Sequence, residues 1–430
     1  MIKKIDIEKL FGRFSYCIAT KPDGITIITG PNGFGKSTIL QIIIALSNGN
    51  LAFFLKLDFE NLTVEFDNGQ KTTIVKNSKG IKIDEVQIPL TDEYYIENMK
   101  YAQRRPWIQR VSDGFIDRRT DEFFTENELF YHIYLEEEKL YDYTISSKSN
   151  EFTKKVRIKH KLDLIREWCG EVRFISDQRL IKKGSKRSDE QQVIDVISEL
   201  PQRLKAEISK VSEEYSRVAN SLDSSYPKRL FAAKEGIKNQ EEYESCLKEA
   251  NDKFEKLNKY NLVDMSIIDE KNYNPTYSTA LKIYFDDFAE KYTVFQNLVL
   301  KLDLFTRIIN NRLTFKHIII SRDNGFNVVD DDNSKKALKL SQLSSGEKQE
   351  IVLFYDLIFG TKEQLLLLID EPEISLHITW QKKFLDDLLE VSKHINIQVI
   401  VATHSPQIVS NHMDIQIDLG ELYGAELNKK

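Results

Sequence analysis

A glycine-rich segment near the start of the chain has the residue types and spacing that phosphate binding requires. Residues 30–37 read GPNGFGKS and match GxxxxGK[ST], directly after a strand-like run at 24–29 and before an apolar run at 37–46. Glycines allow successive backbone N–H groups to point at phosphate oxygens, and a following helix adds the positive end of its dipole. The pattern predicts ATP contacts from Gly30, Pro31, Asn32, Gly33, Phe34, Gly35, Lys36, Ser37 and Thr38, with the lysine on the β- and γ-phosphates and the Ser37 hydroxyl on Mg²⁺.

Two adjacent carboxylates follow an apolar run in the C-terminal part of the chain. Residues 365–373 read LLLLIDEPE, and the unbroken apolar run is typical of a strand buried on both faces. Asp370 is expected to complete the Mg²⁺ shell. Glu371 is the next residue, so its side chain points in a different direction from that of Asp370. It suits the role of a general base that orients or deprotonates the attacking water. The pair therefore predicts hydrolysis of the bound nucleotide.

A third segment, LSSGEKQ at 343–349, predicts the start of a helix. Ser344 and Glu347 have the spacing of a capping box, and apolar periodicity follows in EIVLFYDLIF. A helix that begins with serine and glycine can bind an anion. Taken alone, the segment is better explained as a simple helix cap.

A fourth segment places Thr403-His404-Ser405 after a strand-like run at 398–402. In their order along the chain, which is 30–37, 343–349, 365–373 and 403–405, the four segments resemble the motifs of the ATP-binding-cassette (ABC) ATPases. In these enzymes the segment corresponding to 30–37 is called the P-loop and the segment corresponding to 343–349 is called the signature. The transporter branch keeps the two close together in sequence, whereas a long insertion separates Lys36 from Gly346 here. This layout resembles the SMC, RecF and OLD-nuclease branch.

The resemblance implies an assembly and further site residues. Two subunits would sandwich two ATP molecules head to tail, and Ser345 and Gly346 of one chain would contact the γ-phosphate that Lys36 of the other holds. His404 is implied as the switch histidine that senses this phosphate. Gln178, which follows a strand-like run, is implied as the glutamine that links Mg²⁺ to the helical lobe, although a surface glutamine fits the sequence nearly as well.

The periodicity along the chain predicts an α/β fold. Strand, loop and helix surround the P-loop, and period-two alternation from 51 to 90, with turn residues at 67–69, predicts an antiparallel meander. Apolar residues three and four apart between 191 and 313 predict helices, interrupted at Pro201 and Pro227. The predicted architecture is an ABC-ATPase head, with a mixed sheet around the P-loop, plus an inserted α-helical arm.

The same sequence patterns predict a division of the chain into three parts. They are an N-terminal lobe at 1–180, a helical or short coiled-coil insertion at 181–313, and a C-terminal lobe at 314–430 that carries the signature, the Asp-Glu pair and His404. The helical insertion is equally compatible with a solvated bundle and with an arm that binds a partner.

Composition excludes several classes of protein. The 430 residues are 41% hydrophobic, so a large core can be buried and disorder is excluded. A net charge of −6 argues against a constitutively basic nucleic-acid binder but leaves room for a local basic groove. The three cysteines are widely spaced and odd in number, which indicates a reducing compartment. The start lacks a signal-peptide pattern, and no apolar run has membrane-spanning length. Together these features predict a cytoplasmic protein.

Two phrases, LIDEPEISLH at 368–377 and ATHSPQIV at 402–409, carry a closer resemblance. They are similar to the AAA family ATPases of bacterial anti-phage defence operons of the PARIS and Septu types. In those systems the ATPase works with a separately encoded effector, which is a TOPRIM-type protein or an HNH nuclease. The resemblance implies a sensor and scaffold that forms a homodimer or higher homo-oligomer and holds, then releases or activates, a toxic nuclease.

Two other functions compete with this interpretation. The first is a RecF/SMC-like DNA-repair ATPase that binds duplex DNA directly, favoured by basic stretches at 154–159 and 182–187 and opposed by the acidic total charge. The second is the nucleotide-binding subunit of a transporter, which the long insertion disfavours.

Overall fold

The computed structural model forms two units, each with its own internal contacts. The first unit contains residues 1–177 and 362–430, and the second contains 178–361. The predicted division at 180 and 313 stays a prediction. The structure describes residues 1–77, 80–88, 100, 104–111, 114–119, 122–124, 129, 160–175, 181–183, 193–263, 272–332, 337–360, 365–374, 378–395 and 397–427.

Strands and helices are numbered in chain order over these residues. The strands are β1 (Ile2–Leu10), β2 (Phe14–Ala19), β3 (Ile25–Thr29), β4 (Asn61–Phe66), β5 (Lys71–Asn77), β6 (Gly80–Ile83), β7 (Val86–Ile88), β8 (Ile108–Val111), β9 (Gly114–Asp117), β10 (Glu122–Phe124), β11 (Glu171–Ile175), β12 (Ile181–Lys183), β13 (Val193–Asp195), β14 (Lys316–Ser321), β15 (Gly325–Asp330), β16 (Ala337–Leu338), β17 (Leu365–Asp370), β18 (Ile397–Ala402) and β19 (Gln416–Asp418). The helices are α1 (Lys36–Asn48), α2 (Leu51–Lys56), α3 (Leu200–Ala232), α4 (Gln240–Asn258), α5 (Ser278–Asn310), α6 (Ser345–Ile358), α7 (Ile378–His394), α8 (Pro406–Val409) and α9 (Leu419–Leu427).

A parallel sheet forms the centre of the first unit. Its described strands lie in the order β11-β17-β18-β3-β19, and each neighbouring pair is parallel. Every residue of β3 and β18 is buried, which explains their unbroken apolar runs. Because all these strands run in one direction, their carboxyl ends meet at one edge of the sheet.

An antiparallel sheet forms the second layer of the same unit, in the order β2-β1-β4-β5-β6-β7. It confirms the predicted meander from β4 onward. A shared core joins the two sheets through α1, and it includes Ile5, Ile18, Ile43, Val64 and Leu366. The prediction was wrong at 51–56, where α2 forms because the Asn50 side chain accepts the Phe53 N–H at 3.1 Å and caps the helix.

Long helices dominate the second unit and confirm the predicted helical segment. Helix α3 packs on α5 through Tyr215 and Phe295, whose ring centroids lie 5.0 Å apart. Helix α4 packs on α5 through the stacked rings of Phe254 and Phe288, 4.0 Å apart. A small antiparallel sheet, β14-β15-β16, completes this unit together with α6 and the β12-β13 pair.

The predicted interruptions at Pro201 and Pro227 were wrong, because α3 runs through both. Pro201 lies in the first turn, where its missing N–H costs no hydrogen bond. Pro227 lies inside the helix, where its missing N–H removes the hydrogen bond to the Asp223 carbonyl without ending the helix. Arg229, two residues later, pairs with Asp287 and so attaches this part of α3 to α5.

Within the described segments, no helix has the length and apolarity that crossing a bilayer requires.

Candidate active site

The predicted phosphate-binding loop joins β3 to α1, as the sequence pattern indicates. Gly35 precedes the first residue of α1 with φ of 91°, in the left-handed region that favours glycine. A Cβ atom at this position would lie 2.8 Å from Cδ2 of Leu10, the last residue of β1, so the Leu10 side chain would have to shift. The loop therefore has the backbone conformation and the helix N-terminus that can receive phosphate oxygens.

Lys36 is folded over this loop. Its Nζ atom donates to the carbonyl oxygens of Gly30 at 2.8 Å and Pro31 at 3.2 Å. The side chain is buried, and its ammonium group satisfies its hydrogen bonds with carbonyl groups of the loop itself. The cation is thus held beside the position that a phosphate in the loop would occupy.

Ser37 and Asp370 meet at the carboxyl end of the parallel sheet. Ser37 Oγ donates to Asp370 Oδ1 at 3.0 Å, although the two residues are 333 positions apart in sequence. Burial raises the pKa of the Asp370 carboxyl; the hydrogen bond from Ser37 lowers it, and the charges of Glu371 and Glu373 raise it further. A hydroxyl and a carboxylate in contact fit Mg²⁺, and a cation there would compensate this buried charge.

Glu371 follows directly and adopts an uncommon backbone conformation. Its φ is 43°, in the left-handed region, and its N–H donates to the Ala402 carbonyl at 2.9 Å. For a residue with a side chain this conformation costs about 1–2 kcal/mol, and such strain often occurs at functional sites. The hydrogen bond to the neighbouring strand holds Glu371 in this conformation.

His404 lies at the same edge of the sheet, after β18. Its imidazole is 47% exposed, and Nδ1 lies 3.6 Å from Glu371 Oε1 and 3.3 Å from Glu373 Oε1. A cavity of about 520 Å³ beside it is lined by Gly30, Pro31 and His404, among other residues. The structure thus brings His404 and the start of the phosphate-binding loop to one cavity.

The predicted signature segment lies in the second unit. Ser344 Oγ accepts the Glu347 N–H at 3.3 Å and the Ser344 N–H donates to Glu347 Oε2 at 2.8 Å, which confirms the capping box. Lys316 Nζ contacts Glu347 Oε1 at 2.9 Å and fixes the carboxylate from the side. Ser345 is exposed in the first turn of α6, and Gly346 follows it. Gln178 lies outside the described residues.

Phe11 was not predicted as a site residue. It lies in the β1-β2 turn with φ of 54° and is 40% exposed, and its ring reaches the position above Gly35. An exposed aromatic ring beside the loop can stack on a nucleotide base. Its type and turn position were visible in the sequence, but its proximity to Gly35 depends on how the turn folds back over the loop.

Comparison with known protein families identifies the family of the chain. Residues 1–409 match the model of the AAA ATPase domain family. The match covers most of the chain, so the chain belongs to this family of ATPases. No curated protein matches the chain.

Solved structures that are similar to the chain include two head domains of SMC proteins. One is the Smc head domain with an extended coiled coil bound to the C-terminal domain of ScpA from Pyrococcus furiosus, with 14% identity, a TM-score of 0.35, and coverage of 97% of this chain and 92% of that chain. The other is the SMC head domain from Thermotoga maritima, with 15% identity, a TM-score of 0.35, and coverage of 95% and 92%. The fold assignment rests on the sheets and helices described above.

Proposed function

We propose that the chain binds and hydrolyses ATP with Mg²⁺ as an ABC-type ATPase. The contact between Ser37 and Asp370 at 3.0 Å carries this proposal, because it joins the two motifs that flank the metal and phosphates in P-loop ATPases. The family shared with other ATPases supports the reaction class.

Each residue of the site has a proposed role. The N–H groups of the loop and the Lys36 ammonium bind and orient the phosphates. Ser37, Asp370 and Gln178 hold Mg²⁺, which when bound neutralises charge on the phosphate oxygens. Glu371 orients the attacking water and accepts its proton, and His404 contacts the γ-phosphate.

The site is proposed to be complete only in a dimer. Ser345 and Gly346 begin a helix that offers N–H groups to an anion, and Ser345 is exposed to solvent. These residues would contact the γ-phosphate that a second copy holds at Lys36. The assembly is then a homodimer, or a higher homo-oligomer, formed through two shared ATP molecules.

The proposed biological role is that of the cytoplasmic ATPase subunit of an anti-phage defence system. The phrases LIDEPEISLH and ATHSPQIV support it through their similarity to the ATPases AriA of PARIS and PtuA of Septu. In this role the ATPase holds a separately encoded TOPRIM-type or HNH effector and releases or activates it on infection. ATP-dependent closure supplies the two-state element that such a switch requires.

A pull-down of the tagged protein from its native host, with ATP and Mg²⁺, tests this role. A nuclease-like or TOPRIM-like protein recovered in stoichiometric amount, and reduced with a Lys36→Ala bait, is the expected result. Recovery of chromosomal DNA without a protein partner, together with ATP turnover that rises with duplex DNA and falls steeply with salt, would contradict the scaffold role and favour a DNA-repair ATPase.

A further inference from the structure

Glu373 is a buried carboxylate close to the candidate site that none of the predicted roles uses. It lies in the short 3₁₀ turn Pro372–Ile374, three residues after Asp370, and its side chain is 8% exposed. A buried carboxylate destabilises a protein unless its hydrogen bonds compensate the lost hydration. The contacts of this side chain therefore indicate what it does.

One oxygen of Glu373 contacts three groups of a single neighbouring segment. Oε1 accepts hydrogen bonds from Thr403 Oγ1 at 2.7 Å and from the His404 N–H at 3.0 Å, and it lies 3.3 Å from His404 Nδ1. Thr403 Oγ1 in turn accepts the Ser405 N–H at 3.0 Å. A single carboxylate oxygen thus organises three consecutive residues after β18.

The other oxygen, Oε2, is buried and has no hydrogen-bond partner within the part of the chain that the structure describes. A buried carboxylate oxygen without a hydrogen bond destabilises the folded protein. A purely structural contact would not need it, because an amide could supply the same acceptor without a buried charge. The negative charge therefore has a use that the hydrogen bonds to Thr403 and the backbone do not explain.

A second residue attaches the same segment to the main chain of Glu373. Gln381 Nε2 donates to the Glu373 carbonyl at 3.3 Å, and Gln381 Oε1 accepts from Ser405 Oγ at 3.0 Å. Because this second attachment remains when the Glu373 side chain changes, a Glu373 variant should keep the segment folded.

The charge acts on the imidazole of His404. Nδ1 is the ring nitrogen that faces the carboxylates, 3.3 Å from Glu373 Oε1 and 3.6 Å from Glu371 Oε1. Nε2 is then the nitrogen that remains for a ligand, and the partner of one ring nitrogen determines the role of the other. We propose that Glu373 is a positioning residue for ATP hydrolysis, which fixes the orientation of His404 beside Glu371; this inference rests on the proposed function.

A double-mutant cycle between Glu373 and His404 tests the proposal. The variants are Glu373→Ala, Glu373→Gln and His404→Ala, with both changes at Glu373 repeated in the His404→Ala background. Glu373→Ala should lower kcat about 10- to 100-fold, the range known for carboxylates that orient metal-binding histidines, with the Kd for ATP nearly unchanged. Glu373→Gln keeps an acceptor oxygen without the charge and should recover only part of this loss.

The decisive comparison is made in the His404→Ala background. If Glu373 acts through the imidazole, removing its side chain there should change kcat less than about twofold. Losses that multiply in the double variants, or a Glu373→Gln protein with wild-type kcat, would overturn the proposal. The isosteric glutamine keeps the test valid if the alanine variant unfolds.

Asp386→Asn is the matched control, because Asp386 Oδ1 contacts another histidine of the same unit, His412 Nε2, at 2.8 Å. This variant should hydrolyse ATP at the wild-type rate. A wild-type protein without ATPase activity would remove the proposed function and this inference together. An active wild type whose Glu373 variants keep the same kcat would remove the inference alone.

Discussion

Negative charge is concentrated at the carboxyl end of β17. Asp370, Glu371 and Glu373 lie within four residues, and the nearby cation of the loop, Lys36, donates its hydrogen bonds to carbonyl groups. The raised pKa of Asp370 shows that protein groups do not compensate this charge fully. At the scale of single residues, this charge distribution supports the proposed binding of a cation and a phosphate.

The cost of this arrangement leads to a prediction for Asp370→Asn. Because the pKa of Asp370 is raised in the folded protein, ionisation of the carboxyl opposes folding. The cost is absent below the unfolded-state pKa, and it is complete above the folded-state pKa. The variant should therefore raise the Tm of the nucleotide-free protein at pH 7.5 and lose the further rise that Mg²⁺ and ATP give the wild type.

Thermal unfolding with and without Mg²⁺ and ATP measures both effects. A lower Tm for nucleotide-free Asp370→Asn, or an undiminished stabilisation by Mg²⁺ and ATP, would contradict this account of Asp370.

At the scale of elements, the first residue of β15, Gly325, lies close to the first turn of α3. Gly325 has φ of 70°, and a Cβ atom there would lie 1.9 Å from the Pro201 carbonyl oxygen in the first turn of α3. Gly325→Ala should therefore cost more than about 2 kcal/mol of folding free energy, since backbone strain and a clash with main-chain atoms add. Chemical denaturation followed by circular dichroism measures this cost.

Gly69→Ala is the matched control for this prediction. Gly69 has φ of 78°, but no atom lies within 4 Å of its added Cβ. Only backbone strain of about 1 kcal/mol is then expected. Equal losses in the two variants would mean that the contact between Gly325 and α3 contributes nothing.

The helix start at the signature segment leads to a prediction that depends on pH. Burial opposes ionisation of Glu347, but the hydrogen bonds from Lys316 and Ser344 outweigh it and lower the pKa of Glu347 below its ordinary value near 4.5. The resulting stabilisation is present above the unfolded-state pKa and is lost as the pH falls through the folded-state pKa. Glu347→Gln should therefore lower stability by about 1–2 kcal/mol at pH 7 and by less near pH 4.

Glu249→Gln is the control, because Glu249 has a lowered pKa but lies in an exposed pair with Lys253. It should cost less than about 0.5 kcal/mol. Denaturant unfolding of the three proteins at both pH values makes the comparison, and a loss for Glu347→Gln that is the same at pH 4 and pH 7 would contradict the ionic contribution.

Local patterns predicted most of these elements, and long-range contacts explain the exceptions. The apolar runs of β3, β17 and β18 and the capping box of α6 were visible because each depends on neighbouring residues. The helix through Pro227 was missed because contacts of α3 with α5, such as the ion pair of Arg229 with Asp287, are long-range and no local periodicity reveals them. The role of Glu373 was missed because its partner Thr403 lies on an adjacent strand end, 30 positions away.

At the scale of the whole molecule, the candidate motifs fall in two units. Lys36, Asp370 and His404 belong to the first unit, and Ser345 belongs to the second. The proposed dimer brings Ser345 of one copy to the phosphate held by the other. The Glu371→Gln variant should accumulate this dimer, because it binds ATP without hydrolysing it.

Light scattering after size exclusion measures the dimer. Glu371→Gln with ATP and Mg²⁺ should double its mass relative to the nucleotide-free sample, and adding Ser345→Arg should return it to the monomer while nucleotide binding persists. A mass that does not respond to ATP, or a Ser345→Arg protein that still responds, would contradict the shared site.

The measurement that tests the central claim most directly is steady-state phosphate release from ATP by the purified wild type, Lys36→Ala and Glu371→Gln proteins, alongside nucleotide binding. The account predicts Mg²⁺-dependent hydrolysis by the wild type and loss of binding in Lys36→Ala. In Glu371→Gln it predicts retained binding with kcat lowered at least about 100-fold. Hydrolysis at the wild-type rate by Glu371→Gln would contradict the proposed role of Glu371 as general base. Hydrolysis by Lys36→Ala would mean that the reaction does not depend on this loop.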